Sequence, residues 1–258
     1  MFRSWKLGRL AGIDVFIHPT FLLVLTFPQV SEGGGAGLML VLAVFACVLL
    51  HEFGHALMAR RYGIETSDIT LYPIGGVARL QRMPRSPGAE LLIALAGPAV
   101  NFALAAGLGV LAALGGGLVT SWVVDLLLVN LVLGLFNLIP AFPMDGGRVF
   151  RALLSTWLGR LRATEIAAGL GRLLAVAFGL YCLTQGAWQP AVLALFIYFA
   201  AGMELRQVAA ESWRRPYEGA PGNPVAPPGY RWVKMGEGAW QLAPIVVVNH
   251  DGFHRGWN

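Results

Sequence analysis

Six apolar segments punctuate the chain, at Pro19–Val30, Ala36–Ala59, Ala89–Leu114, Val119–Ile139, Glu165–Thr184 and Trp188–Gln207. All but the first are long enough for an α-helix to cross the hydrocarbon core of a bilayer, which takes about 20 residues. The first is shorter, and Pro28 cuts it further. Just before it, Ile13-Asp14-Val15-Phe16-Ile17 alternates like a strand, so a short strand is predicted to lead into a short or tilted helix. Asp68–Tyr72 and Val77–Gln81 flank Pro73–Gly76 in a hairpin-like pattern. The pattern predicts an all-α polytopic membrane protein of about six transmembrane helices, with a small β-hairpin or re-entrant sheet.

After Glu211 the character changes. Pro216, Pro221, Pro224, Pro227 and Pro228 make a linker-like stretch, followed by two strand-like runs at Tyr230–Met235 and Trp240–Val248. The chain therefore divides into 1–210 and 211–258. The second part is too short for a strong core of its own and is expected to be an appendage on the first, or loosely ordered. One expectation is that Trp240–Val248 adds to a sheet near the site described below.

Composition agrees with the pattern. Of 258 residues, 56% are hydrophobic and 13% charged, against about 25% charged in an ordinary soluble domain. This excludes a disordered chain. The net charge of +5 does not point to nucleic acid, because the 17 arginines and two lysines lie between apolar runs, not in one patch. They set orientation instead. Arginines fill the connections after segments 2, 4 and 6, and Arg3, Lys6 and Arg9 precede segment 1. The connections near Ser31–Gly35, Gly115–Gly117 and Gln185–Gly186 carry neither Lys nor Arg. A multi-pass chain with both termini in the cytoplasm puts every loop arginine inside. Met1–Leu10 lacks the apolar core and cleavage site of a signal peptide, so the first segment is expected to be retained. Cys47 and Cys182 sit in apolar runs and read as small buried hydrophobes.

The candidate chemistry sits near the inner end of the second segment, in His51-Glu52-Phe53-Gly54-His55. Positions i and i+4 share a helix face, so both imidazoles can reach one metal. Glu52 lies about 100° further round, beside the metal, where a general base for an activated water would stand. In a soluble chain this five-residue pattern is weak. Inside an apolar span, where ionisable groups are costly, it points to function. A third ligand is available in Asn137-Leu-Ile-Pro-Ala-Phe-Pro-Met-Asp145-Gly-Gly-Arg148. Pro140 and Pro143 break the helix before Asp145, and Gly146 and Gly147 permit a tight turn after it. Segments 2 and 4 both end on the inner side, so His51, His55 and Asp145 can meet. Three protein ligands leave the open position of a catalytic zinc.

With these motifs in order, the chain resembles the site-2 protease family of intramembrane zinc metalloproteases, in its compact prokaryotic form. Pro73-Ile-Gly-Gly-Val77 resembles the family's re-entrant glycine loop, and Ala96-Gly-Pro-Ala-Val-Asn101 its A-G-P-x-x-N segment. The resemblance covers about residues 10–210. It implies one zinc per chain on His51, His55 and Asp145, with Glu52 as catalytic acid/base. It further implies substrate handling by Asn137 and Pro143, and by the loop glycines Gly75 and Gly76. Substrates would be transmembrane proteins met in the bilayer of the cell membrane, with anti-sigma factors and other membrane-bound regulators as examples. No PDZ or CBS domain is recognisable.

Several readings stand beside these. Asn137 is either a hydrogen-bond donor to the scissile carbonyl or a cap on the broken helix. The sheet edge either pairs with an unwound substrate or is a plain hairpin. Gly97, Pro98 and Asn101 are expected to serve helix packing. Cys47, His18, and the His250 and His254 pair are set aside as ligands. Asp125 and Glu90 fall near span ends, where water is expected to reach them. A metal carrier, a dead scaffold and a CAAX-type protease with a distant glutamate ligand are the competing functions.

Overall fold

The structure is a computed structural model describing residues 4–26, 30, 33–73, 75–82, 84, 86–115, 121–214, 230–234 and 240–244. It divides into a unit up to Leu205 and a second from Arg206. The first begins with strands β1 (Trp5–Leu10) and β2 (Ile13–Ile17), then a 3-10 helix at Pro19–Thr26. Helix α1 (Gly34–Arg61), the hairpin β3 (Thr66–Tyr72) and β4 (Gly75–Leu80), and helix α2 (Pro87–Gly115) follow. Then come α3 (Ser121–Asn137), α4 (Asp145–Leu158), α5 (Arg160–Thr184) and α6, whose range Trp188–Arg214 runs past Leu205. In the second unit β5 (Tyr230–Lys234) pairs antiparallel with β6 (Trp240–Pro244). Among the described residues the strand partner of Trp240–Pro244 is thus Tyr230–Lys234. Pro28, His250 and His254 lie outside the described residues.

Among the described residues four helices are long and apolar enough to cross a membrane: α1, α2, α5 and Pro190–Ala210 within α6. Helix α3 is also apolar but has 17 residues, a rise of about 26 Å. The described part of the first segment is a short helix, an eight-residue 3-10 helix about 16 Å long. The helices are inverted relative to a water-soluble bundle. Leu128, Val132 and Leu135 of α3 and Leu173, Val176 and Leu180 of α5 face outward. The buried face of α5 is instead made of Ala163, Ala167, Ala168, Gly171 and Ala175. In lipid the apolar exterior costs nothing, while small residues let helices approach closely.

The sheet has the order β1-β2-β3-β4, with β2 and β3 parallel and the outer pairs antiparallel. Strand β1 has no counterpart in the sequence reading. Its residues are exposed on both faces apart from a half-buried Gly8, so no alternation marks it, and backbone pairing holds it to β2. The sheet rests on the end of α1. Ile13, Val15 and Ile69 pack with Phe53 and Ala56 of α1. Phe53 and Ala56 thereby bury one side of α1, which fixes the rotation of the opposite side carrying His51 and His55.

Candidate metal centre

Two helices bring the ligand atoms together. His51 and His55 stand one turn apart on α1, their rings 4.7 Å between centroids and nearly perpendicular. Asp145 opens α4, where a helix N-terminus favours a carboxylate. His51 Nε2 and His55 Nε2 are 3.1 Å apart, and each is 3.1 Å from Asp145 Oδ2. Tetrahedral ligands at zinc distances of about 2.0–2.1 Å lie about 3.3 Å apart. The donor set therefore fits zinc, with two imidazoles and one carboxylate.

The free Nε2 atoms are prepared from behind. His55 Nδ1 donates to the Ile93 carbonyl at 2.7 Å. A carbonyl only accepts, so the proton sits on Nδ1 and the Nε2 lone pair faces Asp145. His51 Nδ1 is 2.6 Å from Asn101 Oδ1. Both contacts come from α2, which can lie this close because Gly97 has no side chain. A Cβ there would stand 2.7 Å from His51 Nε2 and closer still to His55. On α1, Gly54 plays the matching part, since a Cβ would stand 2.7 Å from the Ala96 carbonyl oxygen. Gly97 thus serves helix approach as expected, Gly54 does the same from α1, and Asn101 does more than pack: it holds an imidazole.

All the residues singled out as site residues line one cavity of about 440 Å³: His51, Glu52, His55, Asp145, Asn137, Pro143, Gly75 and Gly76. Glu52 lies beneath β4. A Cβ at Gly76 would be 2.6 Å from Glu52 Cγ, so only glycine lets the strand pass over the carboxylate. Gly75 has φ +140°, a region that side chains rarely adopt. Strand β4 is the last in the sheet order, so its outer edge is unpaired within the sheet. Asn137 ends α3, and its Nδ2 donates to the Leu133 carbonyl at 3.0 Å. One of its two N–H groups is therefore spent on the helix end.

Some expectations are corrected. Gly146 and Gly147 make no turn: they lie inside α4, which runs on to Leu158. They are needed for space, because a Cβ on Gly147 would be 2.6 Å from the Phe142 nitrogen and one on Gly146 would strike the Leu138 and Ile139 carbonyls. Glu90 is not a solvated span end. It is 5% exposed and accepts from Arg151 Nε at 2.6 Å. Arg151, 1% exposed, also donates to Glu204 at 2.8 Å and stacks over Phe142. That ion cluster ties α2 and α6 to α4 behind Asp145. Arg148 lines the cavity too. Burial would lower its guanidinium, but Glu204, Asp145, Glu90 and Glu52 push it the other way, and it stays charged. Cys47 and His18 take no part in the ligand cluster: Cys47 accepts from Asn130, and His18 bonds Thr20. Among the described residues no glutamate joins the histidines as a ligand.

Comparison with known proteins gives the same picture. The sequence profile of Peptidase family M50 matches residues 39–117 and 111–178. The zinc metalloprotease MJ0392 of Methanocaldococcus jannaschii is 38% identical over 214 residues, covering 81% of this chain and 62% of that protein. Rip3 of Mycobacterium tuberculosis is 37% identical over 238 residues, covering 80% of this chain and 59% of that protein. The chain thus spans about three fifths of the length of these relatives. The solved site-2 protease from M. jannaschii matches in fold with a TM-score of 0.64 at 37% identity, over 79% of this chain and 95% of that one.

Proposed function

The chain belongs to peptidase family M50, and from that premise we propose that it is an intramembrane zinc metalloprotease, hydrolysing peptide bonds within or next to the transmembrane helices of other membrane proteins. The observation that carries this reading is the triangle of His51 Nε2, His55 Nε2 and Asp145 Oδ2, set in one cavity with Glu52 beside an unpaired strand edge. His51, His55 and Asp145 hold the one zinc. Bound there, zinc supplies a Lewis acid that makes water nucleophilic near neutral pH.

The remaining work falls to the chain's own groups. Glu52 takes a proton from the attacking water and delivers it to the leaving amine. A helical substrate hides each carbonyl in a hydrogen bond to the next turn, so it must unwind before attack. The outer edge of β4 offers backbone groups for the unwound stretch to pair with. The second N–H of Asn137 polarises the scissile carbonyl, and Pro143 lines the same cavity beside the substrate. Residues 1–210 form the protease and 211–258 an appendage to it.

The arginine distribution supports a multi-pass protein of the cell membrane with both termini and the catalytic side in the cytoplasm. The site then lies in the cytoplasmic half of the bilayer. His55 is six residues from the end of α1 at Arg61, a rise of about 9 Å. Membrane-bound regulators, anti-sigma factors among them, are the substrate class that suits such a site, because their release into the cytoplasm follows from one cut. The test is to reconstitute the full chain with a single-span substrate and map the new termini by mass spectrometry. Cuts are expected inside the span or within a turn of its cytoplasmic end. Cuts confined to water-exposed domains would overturn the reading.

A further inference from the structure

We infer that Asn130 is a positioning residue that sets the tautomer of His51, acting through Asn101. Both asparagines are wholly buried, at 0% exposure, on helices α3 and α2. Asn130 Nδ2 donates to the Leu126 carbonyl at 2.8 Å, one turn back on its own helix, and to Cys47 Sγ at 3.3 Å. The Leu126 carbonyl can only accept, so it decides which end of the Asn130 amide is nitrogen. Asn130 Oδ1 therefore faces Asn101, whose Nδ2 donates to it at 3.3 Å. That leaves Asn101 Oδ1 toward His51 Nδ1 at 2.6 Å. An acceptor there requires the proton on Nδ1, and Nε2 is then a bare lone pair among the ligand atoms.

Each link passes on one piece of information, which end donates. Remove the Asn130 amide and nothing tells the oxygen of Asn101 from its nitrogen. Once flipped, Asn101 would present N–H groups to His51 Nδ1 and favour the Nε2–H tautomer, with a proton where the metal belongs. Packing does not account for the pair. A leucine side chain has the same branching as asparagine, while a buried amide left without a partner is costly, and hydrocarbon offers no water to relieve it.

The inference rests on His51 being a zinc ligand, and the test separates the two ideas. The full chain in nanodiscs is labelled with ¹⁵N-histidine, and the His51 tautomer is read by NMR in the zinc-free state. Zinc affinity is measured separately. Wild type is expected to show Nδ1–H. Asn130→Leu is expected to populate Nε2–H and to weaken zinc about tenfold, as loss of a group supporting a metal ligand does. Asn130→Asp keeps an acceptor toward Asn101 and is expected to keep the wild-type tautomer. In the Asn101→Asp background both side-chain oxygens accept, so orientation no longer matters and adding Asn130→Leu is expected to cost no zinc affinity. A wild-type tautomer and affinity in Asn130→Leu would overturn the inference. So would an equal affinity loss in both backgrounds, which marks simple packing. A wild-type chain that binds no zinc yet shows the expected tautomer series would sink the ligand assignment and leave the relay standing.

Discussion

Glu52→Gln is expected to reduce cleavage by about 10²–10⁴-fold, the usual worth of a positioned general acid–base group, with zinc content unchanged. The amide keeps the size of the carboxylate and its place beneath Gly76 but has no basic lone pair to take a proton. His51, His55 and Asp145 make their contacts without it. Turnover of a single-span substrate and metal analysis on the same preparation check both halves. A metal carrier with these ligands would behave differently, since its transport would survive the change. Loss of zinc along with cleavage would make Glu52 a support of the ligands and not the base.

Gly97→Ala is expected to weaken zinc binding at least 100-fold, although residue 97 is no ligand. The added methyl would overlap His55 and stand 2.7 Å from His51 Nε2. The atoms it meets are the far ends of two side chains, so the imidazoles swing aside and the helices stay where they are. Two ligands displaced together cost far more than the roughly 1.4 kcal/mol that corresponds to a factor of ten. Gly107→Ala on the same helix is the control. Beyond the local helix backbone no atom lies within 4 Å of a Cβ built there, and exchanging glycine for alanine in a helix stabilises by up to about 1 kcal/mol. Isothermal titration of both variants with zinc separates a local steric effect from a general effect on α2.

The ligand set was legible because its signals are local or topological. The i, i+4 histidines announce a shared face, and the arginine-free connections put the ends of segments 2 and 4 on one side. Helix α1 runs over Gly34–Arg61 where Ala36–Ala59 was expected, and α2 over Pro87–Gly115 where Ala89–Leu114 was expected. What was illegible depended on tertiary partners. Nothing in the pattern pairs Glu90 with Arg151 across 61 positions, so Glu90 reads as a solvated span end and Arg151 as one of the loop arginines. Asn101 lay in a recognised packing segment, and only the direction of its amide shows that it holds His51. Asn130 had a signal that went unread. It is a polar residue in the middle of the apolar run Leu126–Leu135, and polar groups in a span mark function by the rule that singled out the histidines. Strand β1 had no signal, because pairing and not burial holds it.

The central claim is that cleavage depends on one zinc held by His51, His55 and Asp145. It is tested most directly by stripping the purified, reconstituted chain with a chelator and adding zinc back in measured steps while following cleavage of a single-span substrate. Activity is expected to vanish on stripping and to return in proportion to zinc, levelling off at one equivalent per chain, with Asp145→Ala showing no return over the same range. Cleavage that persists in the zinc-free protein, or that returns equally in Asp145→Ala, would contradict it.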